Sequence, residues 1–95
     1  MLKFEINKDK TDANFEVSEC ITGDVRLTII KGKKSGFVSV FARRDVFDEN
    51  RNKEWYIEIW DHSPTSYTDA KRLAEKLLDI VLWYKPLTHE KDSRS

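Results

Sequence analysis

Residues 25–43 read VRLTIIKGKKSGFVSVFAR. Two runs rich in β-branched and aromatic residues flank a short loop that contains glycine, which is typical of a β-hairpin. If the loop spans 33–36, Ile29 lies opposite Val40 and Leu27 lies opposite Ala42, so that one face of the hairpin is apolar. A shift of one residue would mix polar and apolar side chains on both faces, and we therefore prefer the first register.

Further strands are predicted on both sides of this hairpin. Apolar and polar side chains alternate over 2–6 and again over 15–21, as in strands with one buried face. The polar segment 7–14 between them is expected to be loose. Residues 54–60, EWYIEIW, form a fifth predicted strand after a polar stretch at 45–53. In this strand the alternation places Trp55, Ile57 and Ile59 inward and leaves Tyr56, Glu58 and Trp60 outward.

The hydrophobic period changes at Ser66. Ser66 and Asp69 resemble a capping box, and apolar side chains then recur at helical spacing as far as Tyr84. Pro86 prevents the helix from continuing. Strands followed by a helix indicate an α+β fold. We predict a single small domain over 1–87, with a mainly antiparallel sheet of about five strands and one C-terminal helix packed on one face, and a flexible tail over 88–95.

Composition narrows the class of protein. The chain has 95 residues, with 17 basic and 17 acidic residues and no net charge. A single cysteine, Cys20, excludes an intramolecular disulfide, and one cysteine with two histidines argues against a structural zinc site. We expect no metal and no cofactor. No apolar run approaches the ~20 residues that span a membrane, and the first residues lack a signal-peptide pattern, so we expect a cytoplasmic protein.

The sequence offers no convincing catalytic motif. Asp61, His62 and Ser63 are the three residue types of a hydrolytic triad, but adjacent residues cannot easily align three side chains in a relay. A turn between strand and helix is the better interpretation of this run. An enzyme would instead require Cys20 to meet His62 across space. We therefore expect neither enzymatic activity nor catalytic residues.

Charge is concentrated in the central hairpin. Residues 25–44 contain six basic residues and no acidic one, whereas the flanking parts of the chain carry an excess of acid. The preferred register sets several aromatic rings and arginines on the hairpin face that the helix does not cover. Cations neutralise phosphates and rings stack on unpaired bases. The candidate binding residues are Arg26, Lys31, Lys33, Lys34, Phe37, Phe41, Arg43, Arg44, Tyr56 and Trp60.

Two functions remain open from the sequence. The first is association with single-stranded nucleic acid through this basic, aromatic face. The second is a protein-binding adaptor or inhibitor module, of the type that phages and mobile elements carry, because aromatic residues and arginine also dominate protein interfaces. The second half of the predicted helix is apolar on most sides. A helix of this kind needs neighbours on most sides. Either the N-terminal strand and residues 85–87 wrap it or a second subunit covers it, and we favour a homodimer.

Overall fold

The computed structural model describes residues 2–84, which form a five-stranded sheet followed by one helix. The elements in chain order are β1 (Glu5–Ile6), β2 (Phe15–Thr22), β3 (Val25–Gly32), β4 (Val38–Asp48), β5 (Lys53–Asp61) and α1 (Tyr67–Val81). Each strand pairs antiparallel with the next strand of the chain. The predicted α+β architecture is confirmed. The predicted tail at 88–95 lies outside the described residues.

The register predicted for the central hairpin is confirmed. Ile29 pairs with Val40 and Leu27 pairs with Ala42. The backbone N–H of Gly32 donates to the carbonyl oxygen of Phe37 at 2.8 Å and closes the loop. Gly36 has a φ of +74°, a left-handed conformation that glycine adopts without steric cost. The apolar face of the hairpin is therefore continuous, as the preferred register requires.

The helix covers one face of the sheet, here called the inner face. It packs against β3, β4 and β5. On this face the side chains of Leu27, Ile29 and Val40 are completely buried. Beneath them the helix presents a stripe of buried residues at helical spacing, namely Ala70, Ala74, Leu77 and Val81. Burial of this apolar surface is the main favourable contribution to folding.

Both ends of the helix have identifiable causes. The Ser66 hydroxyl accepts a hydrogen bond from the Asp69 backbone N–H at 3.1 Å, which confirms the predicted cap. The helix ends at Val81, three residues before Tyr84, the predicted end. The last turn tightens, because Tyr84 N–H donates to the Val81 carbonyl rather than to a carbonyl four residues back. Among residues 2–84, no helix has both the length and the apolar character needed to cross a membrane.

The connection between β4 and β5 is a tight turn. The polar stretch at 45–53 is therefore not a long loop, and much of it belongs to the two strands. β4 continues to Asp48, whose carboxylate accepts hydrogen bonds from the backbone N–H groups of Asn50 and Arg51. Asn52 completes the turn with a φ of +52°. β3 pairs with β4 only as far as Arg44, so residues 45–48 and 53–56 form a two-stranded extension, here called the β4–β5 arm.

The arm explains why Trp55, which faces the inner side of the sheet as predicted, is nevertheless exposed. Trp55 lies on the same side of β5 as Ile57 and Ile59, but it is 46% exposed. Its partner in β4 is Val46, which lies past Arg44, the last residue of β4 that pairs with β3.

Near the start of the chain the regular strand is also shorter than predicted. Leu2 and Phe4 pack against the core, but only Glu5–Ile6 pairs with β2.

Candidate nucleic-acid interface

The face of the sheet opposite the helix, here called the outer face, is not covered by any helix or strand of residues 2–84. Phe37, Tyr56 and Trp60 lie on it, each between 42% and 44% exposed. Phe41 lies between them and is half-buried. The outer face is therefore apolar and aromatic over part of its area, whereas open sheet faces normally carry polar side chains.

Three rings form a stacked row across β4 and β5. The Phe41 and Trp60 ring centroids are 4.2 Å apart with an interplanar angle of 30°, and the two residues are direct cross-strand partners. The His62 ring stacks on Trp60 with a centroid distance of 5.5 Å. The Trp60 indole N–H donates to the Glu58 carboxylate at 2.7 Å, which fixes the orientation of the indole. The row is thus ordered by its own contacts and still reaches solvent.

Two arginines lie side by side at one end of this row. Arg26 and Arg43 are direct cross-strand partners. The Arg43 guanidinium lies 4.1 Å from the centroid of the Tyr56 ring. Its nearest carboxylates, on Asp45 and Glu58, are 3.9 and 3.8 Å away. Arg26 forms no ion pair within 4.0 Å in the described part of the chain. Like charges directly opposed across strands are unfavourable, so an anion between the two arginines would relieve their repulsion.

Two lysines lie at the other end, in the loop of the central hairpin. Lys33 and Lys34 are exposed and precede Phe37, whose ring covers the backbone of Gly32. A Cβ at position 32 would lie 2.6 Å from the Phe37 ring, so glycine is required for this close approach. Lys31 is exposed but lies on the inner side of β3, in register with Val38, and it is therefore separated from the rings.

Arg44 does not belong to this surface, and its predicted contact with phosphate is withdrawn. Its side chain is buried on the inner face. The guanidinium donates to the Asp24 carboxylate at 2.9 Å and to the carbonyl oxygens of Val81 and Tyr84 at 3.2 and 2.7 Å. Arg44 therefore adds a charged hydrogen-bond donor to the carbonyl oxygens of Val81, which also accepts from the Tyr84 N–H, and of Tyr84. A phosphate could reach this guanidinium only after these bonds break.

A groove of about 500 Å³ opens on the outer face beside the ring row. Phe15 and Phe37 form one side, and their rings make an edge-to-face contact at 5.8 Å. Trp60 forms the other side. The remaining lining residues are Val17, Ile30 and Ser39 on the floor, His62 at its end, and Lys10 at the rim. The Ser39 hydroxyl and the Nδ1 atom of His62 are hydrogen-bonded at 2.7 Å.

The polar segment before β2 is ordered rather than loose, and it supplies Lys10. The Asn7 side-chain carbonyl accepts hydrogen bonds from the backbone N–H groups of Asp9 and Lys10. Lys10 forms an ion pair with Glu19 at 3.0 Å. Burial alone would raise the pKa of Glu19, but hydrogen bonds from Asn7 and Lys10 and the positive charges of Lys10 and Arg26 outweigh burial and lower this pKa.

Cys20 and His62 do not meet. Cys20 is buried in the core on the inner face, whereas His62 lines the groove on the outer face. The predicted turn at 61–63 is confirmed, since the backbone N–H and the hydroxyl of Ser63 both donate to the Asp61 carboxylate, at 2.8 and 2.6 Å. These bonds lower the pKa of Asp61. The three side chains therefore serve a local turn and the groove, and they do not form a relay.

Comparison of the chain with protein families, curated proteins and solved structures finds no match.

Proposed function

We propose that the protein binds single-stranded nucleic acid across its outer face. The observation that carries the proposal is the open row of stacked rings at Phe41, Trp60 and His62, which has the arginine pair at one end and the lysine loop at the other. Exposed rings in a sheet, flanked by cations, match the two requirements of single-strand recognition, base stacking and phosphate neutralisation.

Each part of the outer face has a role in this proposal. Phe37, Phe41, Tyr56 and Trp60 offer exposed aromatic surface to bases that are not paired with a second strand. Part of the Trp60 and Tyr56 rings is already covered, by Phe41 and His62 and by Arg43. Arg26 and Arg43 neutralise phosphates at one end, and Lys33 and Lys34 do so at the other. Base stacking of this kind contributes about 1–3 kcal/mol per base and tolerates any sequence. We therefore propose binding with little sequence preference.

The acidic residues of the outer face do not prevent this binding. Glu58 and Asp45 approach Arg43 only at 3.8 and 3.9 Å, and the Arg43 side chain is half-buried while that of Asp45 is largely exposed. Partly exposed ion pairs as long as these contribute at most about 1 kcal/mol. A phosphate that reaches Arg26 and Arg43 together replaces a weak contact with a stronger one, because bidentate binding by guanidinium groups suits phosphate.

Charge reversal of the loop tests the proposal. In the double variant Lys33→Glu and Lys34→Glu, we expect loss of binding to a labelled oligothymidylate, measured by fluorescence anisotropy at low salt. For the unchanged protein the slope of log affinity against log salt should be steep, at about −0.7 for each phosphate neutralised. Unchanged oligonucleotide affinity in the variant would refute the proposal.

The helix offers a matched control. Lys71→Glu with Lys76→Glu makes the same change in net charge at two exposed positions of α1, on the other side of the sheet. We expect this variant to bind the oligothymidylate nearly as well as the unchanged protein. An equal loss in both variants would indicate that net charge, and not the outer face, governs binding.

Binding of a protein partner to the same face is the second candidate. The apolar groove favours it, because aromatic residues and arginine are the residues that dominate protein interfaces. The two candidates differ in their response to salt. An apolar protein interface loses far less affinity than a phosphate-binding surface between low and moderate salt.

A further inference from the structure

The groove beside the ring row is a recess of ligand size that is open to solvent. Its volume of about 500 Å³ lies in the range of small-molecule pockets. Phe15 and Phe37 face Trp60 across a floor made of Val17, Ile30 and Ser39. Phe15, Phe37 and Trp60 supply aromatic carbon to this space, and Val17 and Ile30 supply aliphatic carbon. Ring pairs in proteins prefer stacked and edge-to-face contacts.

We propose that the groove holds one unpaired base of the bound strand, turned out of the row of stacked bases. This inference rests on the proposed function and names the place where the strand is anchored. The base would lie between Phe37 and Trp60, and the adjoining bases would stack along Phe41. The occupant is a nucleobase rather than a protein side chain because the groove combines aromatic sides, hydrogen-bonding groups on its floor and cations at its rim.

The hydrogen-bonding groups on the floor suit the edge of a base. Ser39 is 95% buried, and its hydroxyl shares one hydrogen bond with Nδ1 of His62. A serine hydroxyl has one donor and two acceptor positions, so this bond leaves part of its capacity unused. Nε2 of His62 makes no hydrogen bond within residues 2–84. The two side chains can therefore offer a donor and an acceptor to the polar edge of a base.

The cations at the rim suit the phosphate that follows such a base. Lys10 lines the groove, with its ammonium group held by Glu19 at 3.0 Å. Lys33 and Lys34 lie in the loop that leads directly to Phe37. Among residues 2–84, no acidic side chain lines the groove itself, and Glu19 pairs with Lys10 at its rim. We expect the backbone of a strand with its base in the groove to pass Lys10 at the rim and the loop that carries Lys33 and Lys34.

Removal of one side of the groove tests the inference. Two probes of equal length are compared by anisotropy, an oligothymidylate and an abasic oligomer that has the same phosphates without bases. The unchanged protein should bind oligothymidylate at least about tenfold more tightly. Phe15→Ala should reduce this preference several-fold and leave the affinity for the abasic oligomer unchanged. A preference that survives Phe15→Ala would overturn the inference.

The control variant is Ile21→Ala. Ile21 lies on the outer side of the same strand as Phe15, is 70% exposed and lies outside the groove. It should bind both oligomers as the unchanged protein does. Thymidine monophosphate is added as a competitor. If it displaces the oligothymidylate at comparable concentration, the groove is a site for free nucleotides, and the assignment to a strand is overturned.

A spectroscopic measurement covers the case in which Phe15→Ala does not fold. Trp55→Phe and Trp83→Phe leave Trp60 as the only tryptophan, at the side of the groove. Oligothymidylate should quench its fluorescence, and the abasic oligomer should bind without comparable quenching. If the two oligomers quench the Trp60 fluorescence equally, the groove does not hold a base and the inference is overturned, although phosphate binding stands. A groove that serves a protein side chain would give this result. If neither oligomer binds, the proposed function fails and this inference fails with it.

Discussion

Arg43 and Arg44 are neighbours in the sequence with different tasks, because successive side chains of a strand point to opposite faces. Arg43 lies on the outer face, half-buried, with its guanidinium over the Tyr56 ring. Arg44 lies on the inner face and joins the turn before β3, through Asp24, to the end of the helix. A charge count along the chain treats the two arginines alike, although one can bind a ligand and the other stabilises the fold.

Replacement of these two arginines should therefore affect different properties. We expect Arg44→Ala to lower the free energy of unfolding by about 2–3 kcal/mol, since charge-assisted hydrogen bonds to the helix end are lost. Arg43→Ala should lower it by at most about 1 kcal/mol, because its ion pairs are long and exposed. Urea denaturation followed by circular dichroism measures both. Equal losses in the two variants would contradict the assigned roles.

Glu19 makes stability depend on pH. Its folded-state pKa is lowered, so its contribution to stability is fully present above the ordinary glutamate pKa of about 4.3 and is lost as the pH falls through the lowered value. We expect the difference in unfolding free energy between the unchanged protein and Glu19→Gln to be positive at neutral pH and to shrink in acid. Urea denaturation over a series of pH values measures this difference.

Glu16 provides the comparison for this experiment. It lies on the same strand and forms no ion pair within 4.0 Å in residues 2–84. Glu16→Gln gives the general effect of removing one carboxylate from β2. If the unfolding free energies of Glu19→Gln and the unchanged protein differ by the same amount at every pH, the contacts with Lys10 and Asn7 do not stabilise the charged form of the Glu19 carboxylate.

The two faces of β5 offer the sharpest test of the outer face. Trp60 and Trp55 lie on the same strand with nearly equal exposure, 42% and 46%, but on opposite sides of the sheet. We expect Trp60→Ala to weaken oligothymidylate binding by about tenfold, in line with the loss of one stacked base, and Trp55→Ala to leave it nearly unchanged. Anisotropy titration measures both variants. The opposite ranking would assign binding to the inner side of the arm.

Strand pairing within the central hairpin could be predicted because each face has a consistent chemical character. Leu27, Ile29 and Val40 meet only in one register, and the glycines mark the loop. The β4–β5 arm could not be predicted in this way, because Asp45 and Asp48 give a strand with little buried surface the composition of a loop. The helix ends earlier than its apolar spacing predicts for a related reason, since the bonds that hold its last turn come from Arg44, in another part of the fold.

The outer-face site could be predicted only in part. Strand alternation suffices to place Arg26, Phe41 and Trp60, which lie within regular strands. The groove also needs Lys10 and His62, which come from irregular segments next to β2 and β5. Their positions depend on strand order and on side-chain hydrogen bonds between distant residues. No periodic pattern in the sequence carries that information.

For the whole molecule, association of two copies stays a prediction. The end of the helix exposes Ile80, Leu82 and Trp83, the last of them 85% exposed. We expect light scattering after size exclusion to give twice the chain mass of 11.2 kDa at micromolar concentration. Leu82→Glu with Trp83→Glu should give a folded monomer, because charge opposes burial of this patch. Ile21→Glu, at an exposed site elsewhere, is the control. A monomer before any substitution would contradict the prediction.

The β4–β5 arm gives the molecule a built-in reference for native-state amide hydrogen exchange. Within residues 2–84 its two strands have no third strand beside them, so their amide protons should become accessible by local opening well before those of the central hairpin. A ligand on the ring row would slow exchange at Phe41 and Trp60 and leave the distal turn at Asn50 and Arg51 unchanged. Deuterium uptake along one hairpin can thus separate occupancy of the outer face from a general gain in stability.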